Sequence, residues 1–536
     1  MLVVSHDNPQ DYSFLMPQKA VKVMSVVLLV AALSSDSLTQ QKSSPSVSGT
    51  FRSLLTQSAN LLQANRLEEA QKKVEQAIEA NPTSAEARYL LGNVYEHKGE
   101  LQSAVTAYQD ALRSSPQMAE AHDRLGFVFG RIEKVPEAIH QFQEAAKLKP
   151  SYFDAWYHLG ATCWWTRDFE RALNALQKAV ELRPDHAEAR YYLALVLKQK
   201  GNVESAVEHL RKVVVRDPTL AVGHLELGMA LQEFGDIDGA VEELSKAAKL
   251  NPALTQARNN LGLALMKKGK ADEAIVIFQS LLQSHPEDAV ARHNLGLALM
   301  QKGDLVGAVD VYRELTRRTP DNAEAHYNLG MALKQRDEFQ AAEAELRHAI
   351  KLDPTLPEAH FTLGVTLWQM DRAAEAVESF QTAVAQRPDY AEAHYMLGTI
   401  LRKQGDSERA ILEFRQAIRY QPNSAEAHLS LGQALQQKRE TALAVEAFNE
   451  AERLNKRKAD SQAATFAVSV GMDRAKENDV AGAIHKFREA IKLAPDNAQA
   501  HFQLALVLRS MGKHQEAETN FKEAQRLAPY LKFAQR

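Results

Sequence analysis

A chain of 536 residues with 64 Lys and Arg against 68 Asp and Glu has a net charge of −4, so it lacks the basic excess that condenses on a phosphate backbone or an anionic membrane. Nucleic acid is therefore not an expected partner. The single cysteine, Cys163, excludes an intramolecular disulfide, a multi-cysteine metal cluster and a lipid-bearing cysteine behind a leader.

The N-terminus differs from the rest of the chain. Lys19 and Lys22 precede an apolar run over residues 23–33, and a Ser-, Thr- and Gln-rich stretch follows to Thr50. This is the layout of a secretory signal peptide over residues 1–32. Val30 and Ala32 suit the −3 and −1 positions of a cleavage site, and Met16 is an alternative start. The run is too short to span a bilayer, which takes roughly 20 apolar residues. The expected location is periplasmic or extracellular if the signal is genuine, and cytoplasmic otherwise. Residues 33–50 read as a polar linker.

From Pro82 to Pro422, prolines recur every 34 residues without a slip. A fixed period of this length is the signature of helix–turn–helix units stacked into a solenoid. With each proline at position 32, the first repeat starts at Phe51, and fourteen repeats fit in residues 51–531. Position 20 is alanine in all fourteen, position 7 leucine in twelve and position 8 glycine in eleven. Position 24 is apolar and usually aromatic, as in Tyr108, Phe142, Phe278 and Phe380. Small residues at 8 and 20 permit close approach of the two helices, and the leucine and aromatic fill the space beside them.

Leucine–glycine, alanine, aromatic and proline at these spacings resemble the tetratricopeptide repeat family. The resemblance implies an all-α, right-handed α-solenoid superhelix, with partners bound in a concave groove lined by the first helices.

Position 15 is glycine in seven repeats and Asn or Asp in four, the residues wanted by a left-handed helix C-cap. Thr83, Asp185, Asp321, Thr355 and Asp389 each stand three residues before a glutamate and read as N-caps of the following helices. The pattern breaks after repeat twelve, where Lys456 replaces the proline and residues 459–463 are inserted. Repeats one to twelve thus occupy residues 51–458, repeats thirteen and fourteen 464–531, and a tail 532–536. No Pro or Gly lies between Gly432 and Gly471, which predicts that the second helix of repeat twelve runs past its usual end.

Eighteen histidines invite a metal or catalytic reading. Seven of them, His122, His224, His326, His360, His394, His428 and His501, share position 4. Equivalent positions in stacked helices lie about 10 Å apart or more, whereas zinc ligands sit about 2 Å from the ion, so these are expected to be structural. Cys163, where other repeats have leucine at position 11, reads as a packing thiol. With no phosphate loop, metalloprotease helix, nucleophile elbow or dinucleotide fingerprint, no catalytic residue, cofactor or metal is expected.

Function is then expected on a surface. Setting position 4 at the origin, positions 7, 8 and 11 fall at about 300°, 40° and 340° on the first helix, and positions 2, 5, 6, 9, 12 and 13 lie on its other side. That side carries Asn260, Asn294 and Asn328 at position 6, and Met229, Leu263, Leu297 and Met331 at position 9. Met266 and Met300 follow at position 12, and Tyr327, Phe361 and Tyr395 at position 5. An exposed asparagine ladder suits the backbone of an extended peptide, and the groove resembles that of the repeat half of O-linked N-acetylglucosamine transferases. No repeat has lysine at position 5, so the lysine–asparagine arrangement by which related modules grip chaperone C-termini is missing. The expected function is a non-catalytic scaffold for peptide or protein partners, without membrane insertion. The alternatives are the substrate-recruiting arm of a glycosyltransferase-type enzyme whose catalysis lies on another chain, and an array that self-associates.

Overall fold

The structure, a computed structural model, describes residues 45–529, with side chains from residue 49. These residues form 27 α-helices and no strand. The signal-peptide reading lies outside the described residues. Among them, no helix is long and apolar enough to cross a membrane.

The helices pair as the repeat predicts, for instance Ala85–Lys98 with Leu101–Ser114 and Ala289–Lys302 with Leu305–Arg318. The first hairpin starts earlier than expected, because its first helix, Pro45–Gln63, reaches back into the anticipated linker. Backbone contacts divide the chain into two compact units, one ending at Glu233 and one beginning at Phe234. The division falls inside the first helix of repeat six, Ala221–Phe234.

Within each hairpin the conserved small residues are where the helices touch. Alanines at position 20, such as Ala70, Ala138, Ala308 and Ala410, are fully buried. A Cβ on Gly262 would lie 2.3 Å from the ring of Phe278, one on Gly296 2.4 Å from that of Tyr312 and one on Gly160 2.5 Å from Leu176, so position 8 is glycine where the side chain at position 24, aromatic or leucine, fills the space a Cβ would need. Three repeats carry a larger residue at position 8: Ser58 and Ala194 share their hairpins with the smaller Val74 and Leu210, whereas Ala505 is buried in the hairpin that holds Phe521. Ser58 also donates its hydroxyl to the Ala70 carbonyl at 2.8 Å.

The first helix of every repeat ends on a left-handed residue at position 15. The seven expected glycines have φ between 76° and 97°, and Asn65, Asp337, Asp371 and Asn478 share the conformation. So do Glu133, Arg167 and Arg439, whose side chains give no hint of it.

The N-caps lie one residue beyond the expected positions. Ser84, His186 and Asn322 accept from the amides of Ala87, Ala189 and Ala325, whereas the caps after Thr355 and Asp389 are Leu356 and Tyr390, without a side-chain bond. The reason is the turn around the proline. Thr83 and Thr355 donate their hydroxyls backwards, to Asn81 Oδ1 at 3.1 Å and Asp353 Oδ1 at 2.7 Å, and so cannot face the next helix.

Position 4 closes the same turn. All seven of its histidines donate Nε2 to the carbonyl of the preceding proline, at 3.0–3.2 Å. Arg88, Arg190, Arg258 and Arg292 do the same with guanidinium nitrogens, and Trp156 with its indole N–H. Repeats one and thirteen, which follow no such proline, have Leu54 and Ala467 there. Position 4 is therefore a donor because a carbonyl at the end of the preceding hairpin needs one. Among the described residues no group of side chains suits a metal ion.

At the break, one helix spans Thr441–Lys476 and serves both as the second helix of repeat twelve and the first of repeat thirteen. The expected continuation is thus complete. It packs against Ala425–Gln437 on one side and Val480–Leu493 on the other.

Candidate functional site

First helices of neighbouring repeats touch one another, as between Thr255–Lys267 and Ala289–Lys302 or between Ala323–Gln335 and Pro357–Gln369. The side of each first helix turned away from its hairpin partner therefore joins the next into a continuous face within each unit.

In the second unit, Leu263, Leu297 and Met331 at position 9 and Met266 and Met300 at position 12 are half-buried on this face. Tyr327, Phe361 and Tyr395 pack against the core of repeats nine to twelve and remain partly accessible. Met229, in the first unit, is likewise half-buried.

The asparagines are less exposed than the helical wheel indicated. Asn260 is half-buried and donates to the Gln256 carbonyl of its own helix at 2.9 Å. Asn294 and Asn328 are only 5% and 3% exposed. Their amides point at the preceding repeat: Asn294 Nδ2 lies 3.5 Å from Asn259 Oδ1, and Asn328 Nδ2 lies 3.3 Å from His293 Nδ1. Position 5 of one repeat thus meets position 6 of the next, a spacing of 35 residues that a wheel of one isolated helix does not contain.

The first unit uses the same positions for charge. His158 Nδ1 contacts Asp123 Oδ1 at 2.8 Å, again position 6 on position 5. Burial works against the charged imidazole, but the adjacent Asp123 carboxylate raises its pKa above 6.5. Arg124 forks onto Glu96, with Nε 3.1 Å from Oε2, and both are nearly sealed from solvent. The Tyr108 hydroxyl lies within hydrogen-bond distance of Asn93 Oδ1 and Glu96 Oε2, at 2.7 and 2.9 Å. Beside this network, Tyr157, Trp164 and Tyr192 form an aromatic cluster with centroids 5.4–6.3 Å apart, and Trp165 is 57% exposed. Apart from Tyr108, expected to fill its hairpin, the sequence did not mark these residues, although Glu96 with Arg124 and Asp123 with His158 are complementary pairs spaced by 28 and 35 residues. Cys163 is fully buried, and burial pushes its thiol up to about 11, which makes it a packing residue rather than a nucleophile.

Comparison with known proteins places these features. Residues 277–322, 293–357, 361–414, 395–463 and 471–531 match one tetratricopeptide-repeat model, and residues 260–288 match another. Residues 29–270 match the model described as the cilia and flagella-associated protein 70 C-terminal domain. No curated protein matches the chain. Similar solved structures include YrrB, described as a TPR protein with an unusual peptide-binding site, at 28% identity over 34% of this chain and 95% of that one, with a TM-score of 0.33. MamA is 29% identical over 31% and 96%, with a TM-score of 0.29. The Naa15/Naa10 complex bound to HypK-THB matches at 15% identity over 90% and 94%, with a TM-score of 0.33. From the 34-residue period, the paired helices and these repeat models together, the chain belongs to the tetratricopeptide repeat family, a family of protein-interaction scaffolds.

Proposed function

We propose that this chain is a non-catalytic scaffold that holds an extended peptide or protein segment against the first-helix face of its second unit. One observation carries the reading: Leu263, Leu297 and Met331, with Met266 and Met300, form consecutive rows of apolar side chains that the fold leaves half-exposed. Isolated apolar side chains on a surface are ordinary, but contiguous ones framed by polar groups mark docking sites. The methionines adapt to varied side chains. Asn260 and the accessible edges of Asn294 and Asn328 supply polar atoms beside them, and Tyr327, Phe361 and Tyr395 continue the face. Met229 is the equivalent contact in the first unit.

The test begins with crosslinking in the native cell and identification of the captured protein by mass spectrometry. Replacing Leu263, Leu297 and Met331 by Ser is expected to weaken that partner about ten-fold or more, since each half-covered apolar side chain contributes on the order of 1 kcal/mol. Replacing Glu242, Gln279 and Arg313 by Ala, on the second helices, is expected to leave binding unchanged. Equal affinity of the Ser variant and the parent would refute the reading.

A further inference from the structure

On the same face, repeats nine to eleven differ from their neighbours at position 12. Repeats seven and eight have Met266 and Met300 at position 12, followed by Lys267 and Gln301 at 13, and repeat twelve has Gln436 and Gln437. Repeats nine to eleven have instead Lys334, then Trp368, then Arg402 followed by Lys403.

Many cations among the described residues have a carboxylate beside them, as Arg336 and Arg372 do. These three do not: among the described residues, Lys334, Arg402 and Lys403 make no ion pair. The nearby acids are engaged elsewhere, Glu338 with Arg336 at 2.9 Å, Glu375 with Arg372 at 2.5 Å and Asp406 with Arg409 at 3.6 Å. Asp337 and Asp371, in their left-handed turns, pair with none of the three. Lys334 is half-buried, and burial pushes its ammonium pKa down. Arg402 is half-buried, and its Nε is shielded from solvent without a hydrogen-bond partner. Lys403 lies over the Trp368 ring, 4.7 Å from its centroid, so adjacent repeats bring these side chains together.

Half-buried cations without anions have lost hydration that nothing in the chain replaces. The aromatic surface beside them, Tyr327, Phe361, Trp368 and Tyr395, is packed on the core and therefore pre-positioned. Resting on the docking reading above, we propose that repeats nine to eleven select an acidic partner: an extended protein segment with Asp or Glu side chains alternating with apolar ones. Its carboxylates would meet Lys334, Arg402 and Lys403, and its apolar side chains the aromatic surface.

The experiment uses the full chain and three fluorescein-labelled synthetic peptides of equal length, alternating Leu with Glu, Gln or Lys, followed by fluorescence anisotropy. The Glu peptide is expected to bind at least about ten-fold more tightly than the Gln peptide, and the Lys peptide least, with the preference shrinking as salt rises. Joint substitution of Lys334, Arg402 and Lys403 by Gln is expected to erase the difference between Glu and Gln peptides. Lys403→Glu alone, at an exposed position, keeps the test independent of folding and is expected to favour the Lys peptide. Substituting Lys351, Arg415 and Arg419 by Gln, on second helices, is expected to change nothing. Equal binding of Glu and Gln peptides, both weakened by the Ser variant of Leu263, Leu297 and Met331, would overturn the acidic selection and leave the docking reading standing. Binding of the Glu peptide that neither set of substitutions weakens would overturn both.

Discussion

At the scale of single residues, the left-handed turns show what a side chain conceals. Glu133, Arg167 and Arg439 have φ of 62°, 61° and 64°, a conformation costing an ordinary L-residue about 1–2 kcal/mol. Glycine removes that cost but adds freedom to the unfolded chain, worth about 0.4–1 kcal/mol in the other direction. Arg167→Gly is therefore expected to stabilise the first unit by up to about 1 kcal/mol, read as a higher urea midpoint; a lower midpoint would show that the Arg167 side chain compensates for its backbone. His394 yields a pH dependence. Burial opposes its charge, but Glu413, 2.6 Å from Nδ1, and the Pro388 carbonyl, 3.0 Å from Nε2, raise its pKa above 6.5. The folded state then holds this proton more tightly than the unfolded one. Its contribution is fully present below about pH 6.5 and is lost as pH rises through the folded value. Melting of the parent and of His394→Gln across that window should show a fall with pH in the parent that the variant lacks; parallel curves would assign the slope elsewhere. Glycines and asparagines at position 15 were legible in the sequence because their residue type reports the backbone. The N-caps were misplaced by one residue, because Thr83 and Thr355 serve the turn before the helix, and a cap motif does not distinguish the two directions.

At the scale of the hairpin, identity at one position is set by its opposite. At Gly262 the Phe278 ring fills the space a Cβ would need, and Gly262→Ala is expected to destabilise repeat seven by about 1–3 kcal/mol through overpacking. Adding Phe278→Leu should recover part of that loss, since the outer ring atoms that a Cβ on Gly262 would meet at 2.3–2.9 Å are the ones removed. A double variant less stable than the sum of the single ones would contradict this reciprocal fit. The pattern of fourteen hairpins was visible from sequence because it repeats, and the fused helix Thr441–Lys476 was visible because turn residues stop. The contacts between repeats were not visible. They join residues 28 or 35 apart, as in Arg124 with Glu96 and Asn328 with His293, and helical periodicity within one element carries no information about its neighbour's register. That is why Asn294 and Asn328 read as exposed while the structure buries them against the preceding repeat.

At the scale of the whole molecule, stability in such an array is a sum of local interfaces, so a substitution on the docking face also acts on the stack. Replacing Asn260, Asn294 and Asn328 together by Ala is expected to weaken a bound segment about ten-fold, each lost hydrogen bond being worth about 0.5–1.5 kcal/mol. It should also lower hydrogen-exchange protection across repeats seven to nine, because Asn294 and Asn328 bridge repeats. Full affinity with that protection lost would make the asparagines stacking residues only. The fused helix bears on how such a chain yields to tension. Elsewhere, a proline turn held by one donor at position 4 separates each hairpin from the next, so a chain pulled from its ends can release about 34 residues per step, roughly 11–12 nm at full extension. Across Thr441–Lys476 there is no such seam. The two hairpins that share this helix would come away as one, so extension there proceeds by a jump about twice as long, and the C-terminal end of the array behaves as a single coarse link in an otherwise evenly divided chain.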